Sequence, residues 1–229
     1  GDAAAVEAVM AKAAHVVSVS LTSQRLVVAP MEPRAAIAAF DEASGTYHLH
    51  AGNQGSVFLR QQIATVLGAP EDNVVVTAGD VGGGFGIRGS SYPEYSALLL
   101  AARTLGRTVH WTQTRSEGFL SDNQARDSRM TGRLALDADG RILAVDGQAI
   151  ADMGAYMQPA GFFIACSNFV VCLPGPYRVP AFSAGVRCLH TNTATTAPYR
   201  GAGRPEAAYL LESLMDAAAA RLGVDRAEI

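Results

Sequence analysis

Five residues, Gly82-Gly83-Gly84-Phe85-Gly86, constrain this chain more than any other stretch. They follow the apolar run Asn73-Val74-Val75-Val76-Thr77-Ala78 and precede a helical pattern that begins at Tyr92. Backbone this rich in glycine can take φ > 0 and lie directly against a ligand. A loop that leaves a strand and enters a helix gathers unpaired N–H groups and the positive end of a dipole, so an anion or a flat polar group is the expected partner. The plainer alternative is a tight strand-to-helix turn with Phe85 filling the core.

Periodicity and turn residues predict a helix over Ala3–Ala14, a strand over Val16–Leu21, and a strand pair, Ala35–Phe40 and Tyr47–Ala51, joined at Ser44-Gly45. A helix over Ser56–Leu67 stops at Gly68 and Pro70, and after the glycine loop another runs from Tyr92 to Leu105, with Pro93 in its first turn. Arg107–Thr112 reads as a strand. Arg129–Leu136 and Arg141–Ala151 form a hairpin across Asp137-Ala138-Asp139-Gly140. Met157–Cys172 fits a short helix plus loop, Phe182–His190 a strand, Thr191–Gly203 a long connection, and Pro205–Leu222 a helix ended by Gly223. Sets of strands followed by helices predict an α+β architecture rather than a doubly wound sheet. A faint duplication runs through it: the glycine loop and helix of the first half match Arg200-Gly201-Ala202-Gly203-Arg204 and the helix Pro205–Leu222 of the second. We therefore expect two similar lobes, residues 1–128 and 129–229, each a mixed, largely antiparallel sheet with helices packed on one side.

Composition removes several functions. With 49% hydrophobic and 17% charged residues the chain is globular, and a net charge of -3 with 18 scattered basic residues supplies no track for nucleic acid. No apolar run reaches the roughly 18 residues of a membrane span, and the N-terminus carries no basic leader, so the reading is a soluble, unprocessed, cytoplasmic protein. The three cysteines, Cys166, Cys172 and Cys188, lack a metal spacing and read as buried reduced thiols in a reducing compartment. His48 and His50 share a strand face without a third ligand and read as a packed or solvated pair. No residue of this chain is expected to ligate a metal.

Gly84-Phe85-Gly86-Ile87-Arg88-Gly89 satisfies G-x-G-x-x-G, a dinucleotide spacing, but where the ribose-binding acid should stand, about 20 residues on, the chain reads Arg107-Thr108-Val109-His110-Trp111-Thr112. Two guanidiniums and three small residues in Pro198–Pro205 suit an oxyanion, with surface arginines on a capping loop as the alternative. Gln54, in Asn53-Gln54-Gly55-Ser56, could cap a helix or present its amide to a ligand. Three such loops, each before a helix, suit a large polyanionic cofactor.

Met31-Glu32-Pro33-Arg34, Asn53-Gln54 with Arg60, Asp80–Gly86, Arg115-Ser116-Glu117, Asp152–Tyr156 and Tyr199–Glu206 resemble, in order, the molybdopterin-binding subunit of the xanthine dehydrogenase/aldehyde oxidase/aerobic CO dehydrogenase family. The resemblance spans nearly the whole chain. It implies a molybdenum–pterin cofactor, possibly in its cytosine dinucleotide form, whose dithiolene rather than the protein holds the metal. Gln54 is implied as the amide on an oxo ligand and Gly83, Gly84, Phe85 and Gly86 as the loop on the pterin and metal. Arg200 is implied as the arginine facing substrate or cofactor, with Gly201 and Ala202 beside it, so Gln54 and Arg200 carry the catalytic roles. Iron–sulfur clusters and FAD are implied on partner subunits or domains, and the remainder of the molybdenum-binding subunit as a further partner.

Departures narrow the substrate. Purine hydroxylases of the family have a glutamate where this chain has Gly89, an arginine at Asn168 and a ring-stacking Phe at Ala202, and copper-dependent CO dehydrogenases have a cysteine at Gly201. The Tyr199–Arg204 sequence is similar to the CO-dehydrogenase-like second form, which implies hydroxylation of an aldehyde or an N-heterocycle with oxygen from water. The family's base is a glutamate in a late Gly-x-Gly-Glu segment, which these residues lack. The expectation is a fragment or one part of a split subunit, inactive by itself. A dinucleotide-binding oxidoreductase domain and an inert scaffolding domain are the competing readings.

Overall fold

The computed structural model describes the backbone of residues 1–229 and every side chain except that of Pro159. In chain order the elements are α1 (Ala3–Met10), β1 (His15–Ser23), β2 (Leu26–Val27), β3 (Ala35–Asp41), β4 (Thr46–Ala51), α2 (Ser56–Leu67), β5 (Val74–Thr77), α3 (Pro93–Leu105), β6 (Val109–Thr112) and α4 (Arg115–Ser121). Then come β7 (Gln124–Ala125), β8 (Ser128–Leu136), β9 (Ile142–Asp152), α5 (Pro159–Phe163), a π-helical turn (Ile164–Asn168), α6 (Phe169–Cys172), β10 (Ala181–Leu189) and α7 (Arg204–Leu222). They divide into two compact units.

One unit, Val27–Asn123 with Pro198–Arg200, is built on a four-stranded sheet of order β5-β4-β3-β6. β3 pairs antiparallel with both β4 and β6, and β4 pairs parallel with β5 through the crossover helix α2. The period-2 pattern decides which face is covered: Ala36, Ala38, Tyr47, Leu49 and Ala51 are buried, whereas Ile37, His48 and His50 are exposed. Leu59 and Ile63 of α2 and Tyr95 and Leu99 of α3 close that core. Each fully buried Leu or Ile contributes about 1.5–3 kcal/mol of transfer free energy. α2 and α3 end as their sequences predict, on Gly68 and Gly106 in the left-handed region.

The other unit, Gly1–Leu26 with Gln124–Ala197 and Gly201–Ile229, has the sheet order β1-β8-β9-β10. β1 and β9 pair antiparallel with β8, and β9 pairs parallel with β10 through the α5–π–α6 crossover. Leu210, Leu211 and Leu214 of α7 pack on Met130, Leu134, Leu136 and Val145, while Val6 and Met10 of α1 pack on Ala135 and Ala144. Gly132 and Gly147 lie opposite each other in the β8–β9 register, and a Cβ there would meet Leu214 at 2.9 Å and Leu173 at 2.4 Å. Their missing side chains let the helices approach the sheet.

The units depart from a cut at 128/129. Residues 1–26 belong with the C-terminal segments because β1 adds to the β8 edge, and Pro198–Arg200 returns to the first-described unit. Two further differences are local. Met157–Cys172 contains a nearly continuous helical run with a π-turn inside it instead of a helix and a loop. α4 was not expected, although Thr114-Arg115-Ser116-Glu117 is a complete capping box: Glu117 N donates to Thr114 Oγ1 (3.2 Å) and Thr114 N to Glu117 Oε2 (2.7 Å).

Candidate functional site

The glycine loop is anchored from below. Glu32 grips Gly82 at two points: its N–H donates to the Gly82 carbonyl (3.0 Å) and its Oε2 accepts from the Gly82 N–H (2.8 Å). Arg88, 3% exposed, donates from Nη2 to the Glu32 carbonyl, and its Nη1 lies 3.6 Å from Glu32 Oε2. Its Nε and Nη1 are buried without hydrogen-bond partners. One opposite charge close by is what keeps such a buried guanidinium tolerable.

Gln54 spans the loop's far side. Its N–H donates to the Arg88 carbonyl (3.0 Å), and its Oε1 accepts from the Gly86 N–H (2.8 Å). The side chain fills the space over Gly84, where a Cβ would stand 2.6 Å from Gln54 Cδ. Gln54 is not the cap of α2. Asn53 builds that turn, its Oδ1 accepting from the Gly55 N–H (2.9 Å) and Ser56 Oγ (3.2 Å). Gly86 has φ +110°, and a Cβ on it would come within 2.5 Å of the Pro198 carbonyl oxygen. Segment 198–200 is thereby seated on this loop, with Arg200 exposed two residues beyond Pro198.

Phe85 does not fill the core. It has φ +53° and is 42% exposed, so a non-glycine residue is held in the left-handed region with its ring toward solvent. Such outliers cluster where a ligand is clamped. The loop also differs from a dinucleotide loop: Ile87–Gly89 form a 3-10 turn with Ile87 and Arg88 buried, and α3 begins only at Pro93. The expected convergence of helix N-termini is therefore replaced here by loop backbone. Among the described residues the N–H groups of Gly83, Gly84 and Phe85 and the Nε2 of Gln54 meet no acceptor. A donor set of this kind, with Arg200 following Pro198, fits a polyanionic group carrying several acceptor oxygens.

Within this unit Arg34 is 1% exposed and forks to Glu94 (2.9 Å to each oxygen) while its Nε donates to Asp122 (2.7 Å). Its guanidinium stacks 3.7 Å from the Tyr92 ring centroid. Burial lowers the Arg34 pKa, but the bonds to Glu94 and Asp122 outweigh it and hold the group above its ordinary value. Burial and the Asp122 charge raise that of Tyr92. Sequence reasoning quoted Glu32 and Arg34 only as parts of a motif. Their partners stand 50 to 88 residues away, so spacing along the chain carries no sign of them.

Gly201 and Ala202 belong to the other unit. There Asn168 Nδ2 donates to the Ala202 carbonyl (2.9 Å), Ala202 has φ +49°, and Gly203 with φ +84° is the N-cap of α7. Arg126 Nη1 donates to both carboxylate oxygens of Glu206 in the first turn of α7, each at 2.8 Å. A cavity of about 40 Å³ beside them is lined by Ser128, Thr196, Phe169 and Gly203, and the buried Ser128 Oγ has no partner. His50 Nδ1 and Thr77 Oγ1 are 2.9 Å apart on the exposed sheet face. Among the described residues no cluster of three His, Cys, Asp or Glu could hold a metal, and no helix is long and apolar enough to cross a membrane.

A family model described as the molybdopterin cofactor-binding domain matches residues 1–229. The chain is 34% identical over 229 residues to the gamma subunit of the 6-hydroxypseudooxynicotine dehydrogenase complex of Paenarthrobacter nicotinovorans, covering 97% of this chain and 28% of that protein. It is 35% identical to the carbon monoxide dehydrogenase large chain of Hydrogenophaga pseudoflava, covering 100% of this chain and 29% of that one. Among solved structures, quinoline 2-oxidoreductase from Pseudomonas putida 86 superposes with a TM-score of 0.92 at 33% identity, over 97% of this chain and 28% of that one. The chain thus spans less than a third of the length of these relatives.

Proposed function

This chain belongs to the molybdopterin cofactor-binding domain family, and from that premise we propose that it is the molybdenum-cofactor-binding part of a molybdenum hydroxylase. The observation that carries the reading is the set of donors without an acceptor on and beside one anchored loop: the N–H groups of Gly83, Gly84 and Phe85 and the Nε2 of Gln54. When bound, the molybdenum–pterin group supplies a two-electron acceptor and places water-derived oxygen for insertion into a C–H bond. Gly83, Gly84 and Phe85 would hold it by backbone donation, Gly86 beside them fixes Gln54 through its own N–H, and Arg200 offers a planar fork to an anionic oxygen. Gly201 and Ala202, next in the chain, keep the role that the resemblance implies for them.

Gln54 is the residue whose orientation matters most. With its Oε1 engaged by the Gly86 N–H, its Nε2 is aimed in advance, so donation costs no reorganisation at the moment of reaction. The substrate we assign is an aldehyde or an N-heterocycle. Gly89 presents no carboxylate, and the Asn168 amide donates to the Ala202 carbonyl, leaving little to orient a purine. The cytosine dinucleotide form of the cofactor, iron–sulfur and FAD groups on partners, the remainder of the molybdenum-binding subunit with the catalytic glutamate, and a cytoplasmic location complete the proposal. The names of the relatives support it, since one is a subunit of a dehydrogenase complex and another a CO dehydrogenase large chain.

The test is Gln54→Ala in the complete assembly, with molybdenum content and turnover measured on the same preparation. Loss of one preorganised donor lowers turnover per bound molybdenum by about 10²–10³, with metal content changing far less. Unchanged turnover per molybdenum rejects the role, and a metal-free wild-type assembly rejects the function.

A further inference from the structure

We propose that Cys166 and Cys188 are a redox pair that closes to a disulfide and thereby shifts the loop Gly201-Ala202-Gly203. The two Sγ atoms lie 3.3 Å apart, and both cysteines are half-buried. A disulfide places sulfurs at ~2.05 Å, so closure asks for an approach of about 1.3 Å. Cys166 sits in the middle of the π-turn Ile164–Asn168, and Cys188 sits on β10, the edge strand, opposite Ala151 of β9. π-turns of this kind recur at functional positions and are the most adjustable part of a helix. The third cysteine, Cys172, instead packs on the apolar core under α7.

The π-turn and the loop form one packed body, and this links the sulfurs to the site. A Cβ on Gly203 would lie 2.7 Å from the Ile164 carbonyl oxygen, 2.9 Å from Asn168 Cβ and 3.2 Å from Phe169 N. Asn168 also holds the Ala202 carbonyl at 2.9 Å. Drawing Cys166 toward β10 therefore cannot leave Ala202 and Gly203 in place, because close-packed groups transmit small displacements.

The chemistry balances with a peroxide as the oxidant. The Cys166 sulfur attacks one peroxide oxygen, the O–O bond breaks, and the hydroxide leaves with the Cys166 thiol proton as water while Cys166 becomes a sulfenic acid. The Cys188 sulfur then attacks the Cys166 sulfur, the S–O bond breaks, and the thiol proton leaves with the hydroxide as water. Two thiols and one hydrogen peroxide thus yield one disulfide and two waters. Burial and the neighbouring Cys166 push the Cys188 thiol up to about 12, which disfavours Cys188 as the first attacker. In a reducing compartment the pair rests as two thiols, the state seen here.

The effect on the loop is regulation of the site proposed above and rests on that reading. The experiment uses the full-length protein with its partner subunits, treated with hydrogen peroxide, alkylated, digested and weighed. The expected result is a Cys166 peptide joined to a Cys188 peptide, lighter by two hydrogens and reversed by dithiothreitol, with Cys172 alkylated. Hydrogen exchange of the peptide covering 201–204 is expected to shift by about tenfold on oxidation, and not in Cys166→Ser or Cys188→Ser. Two alkylated sulfurs after peroxide overturn the proposal, and so does a joined pair with unchanged exchange at 201–204. A molybdenum-free assembly rejects the proposed function instead, while the cross-link and exchange still decide this inference.

Discussion

The two units repeat one plan and differ in how they hold its key loop. In one, the hairpin β3–β4 leads through a crossover to the parallel strand β5, a loop and the helix α3, with β6 antiparallel to β3. In the other, the hairpin β8–β9 leads through a crossover to β10, a loop and the helix α7, with β1 antiparallel to β8. The first loop is stitched by side chains that take the N–H groups at its two ends, Glu32 on Gly82 and Gln54 on Gly86, so those of Gly83, Gly84 and Phe85 between them stay available. The second is fixed by close packing at Gly203 and by Asn168, against a crossover interrupted by a π-turn. Shared topology places a loop after the third strand in both, but only the stitching decides which loop has donors to give a ligand and which responds to a movement beneath it.

The largest expected consequence lies under the first loop. Arg34→Met leaves Glu94 and Asp122 without their cation and should cost about 3–5 kcal/mol. Hydrogen exchange of β3 and α3 in the full-length protein measures it, and a change below about 1 kcal/mol, the scale of a surface pair, removes Arg34 as the hub of that unit. Next come two matched changes, Gly86→Ala and Gly203→Ala. Both residues have φ in the left-handed region, and both would press a Cβ on a carbonyl oxygen, at 2.5 and 2.7 Å. Each should cost about 1–3 kcal/mol, read as lost exchange protection in α3 and α7 respectively. A cost at Gly86 alone would mean that the second loop gives way and that the likeness between the units stops at topology.

The smallest effect is a pH dependence confined to the first unit. Burial raises the Glu94 pKa, but the bond from Arg34 outweighs it and holds the carboxyl below its ordinary value. A depressed folded-state pKa means that the contribution is fully present above the unfolded value of about 4.3 and is lost as pH falls through the folded one. Protection of α3 should therefore decline at acid pH, and Glu94→Gln should remove that slope; an unchanged slope assigns it to another carboxylate.

How much of this was legible differs between elements for physical reasons. α2 runs over the residues its pattern predicts because Gly68 stops it locally. The alternation in β3 and β4 likewise named the buried face. The capping box before α4 was readable from Thr114 and Glu117 and went unread. The role of Glu32, the buried Arg88 and the Cys166–Cys188 contact were not readable, because each pairs residues from separate elements. Phe85 could be read as core or as ligand-facing from its neighbours alone, and its exposure with positive φ excludes the core.

Local order along the chain was enough to set the repeated plan, the family and the glycine loop's place after a strand, since turn residues, periodicity and motif spacing act within a few residues of themselves. Tertiary structure alone assigned residues 1–26 to the C-terminal sheet, seated Pro198 on Gly86, aimed Gln54 and brought two sulfurs within 3.3 Å. These depend on which distant segments share a core. That choice is made by packing the whole chain at once, where the burial of one strand face settles what every other segment can touch.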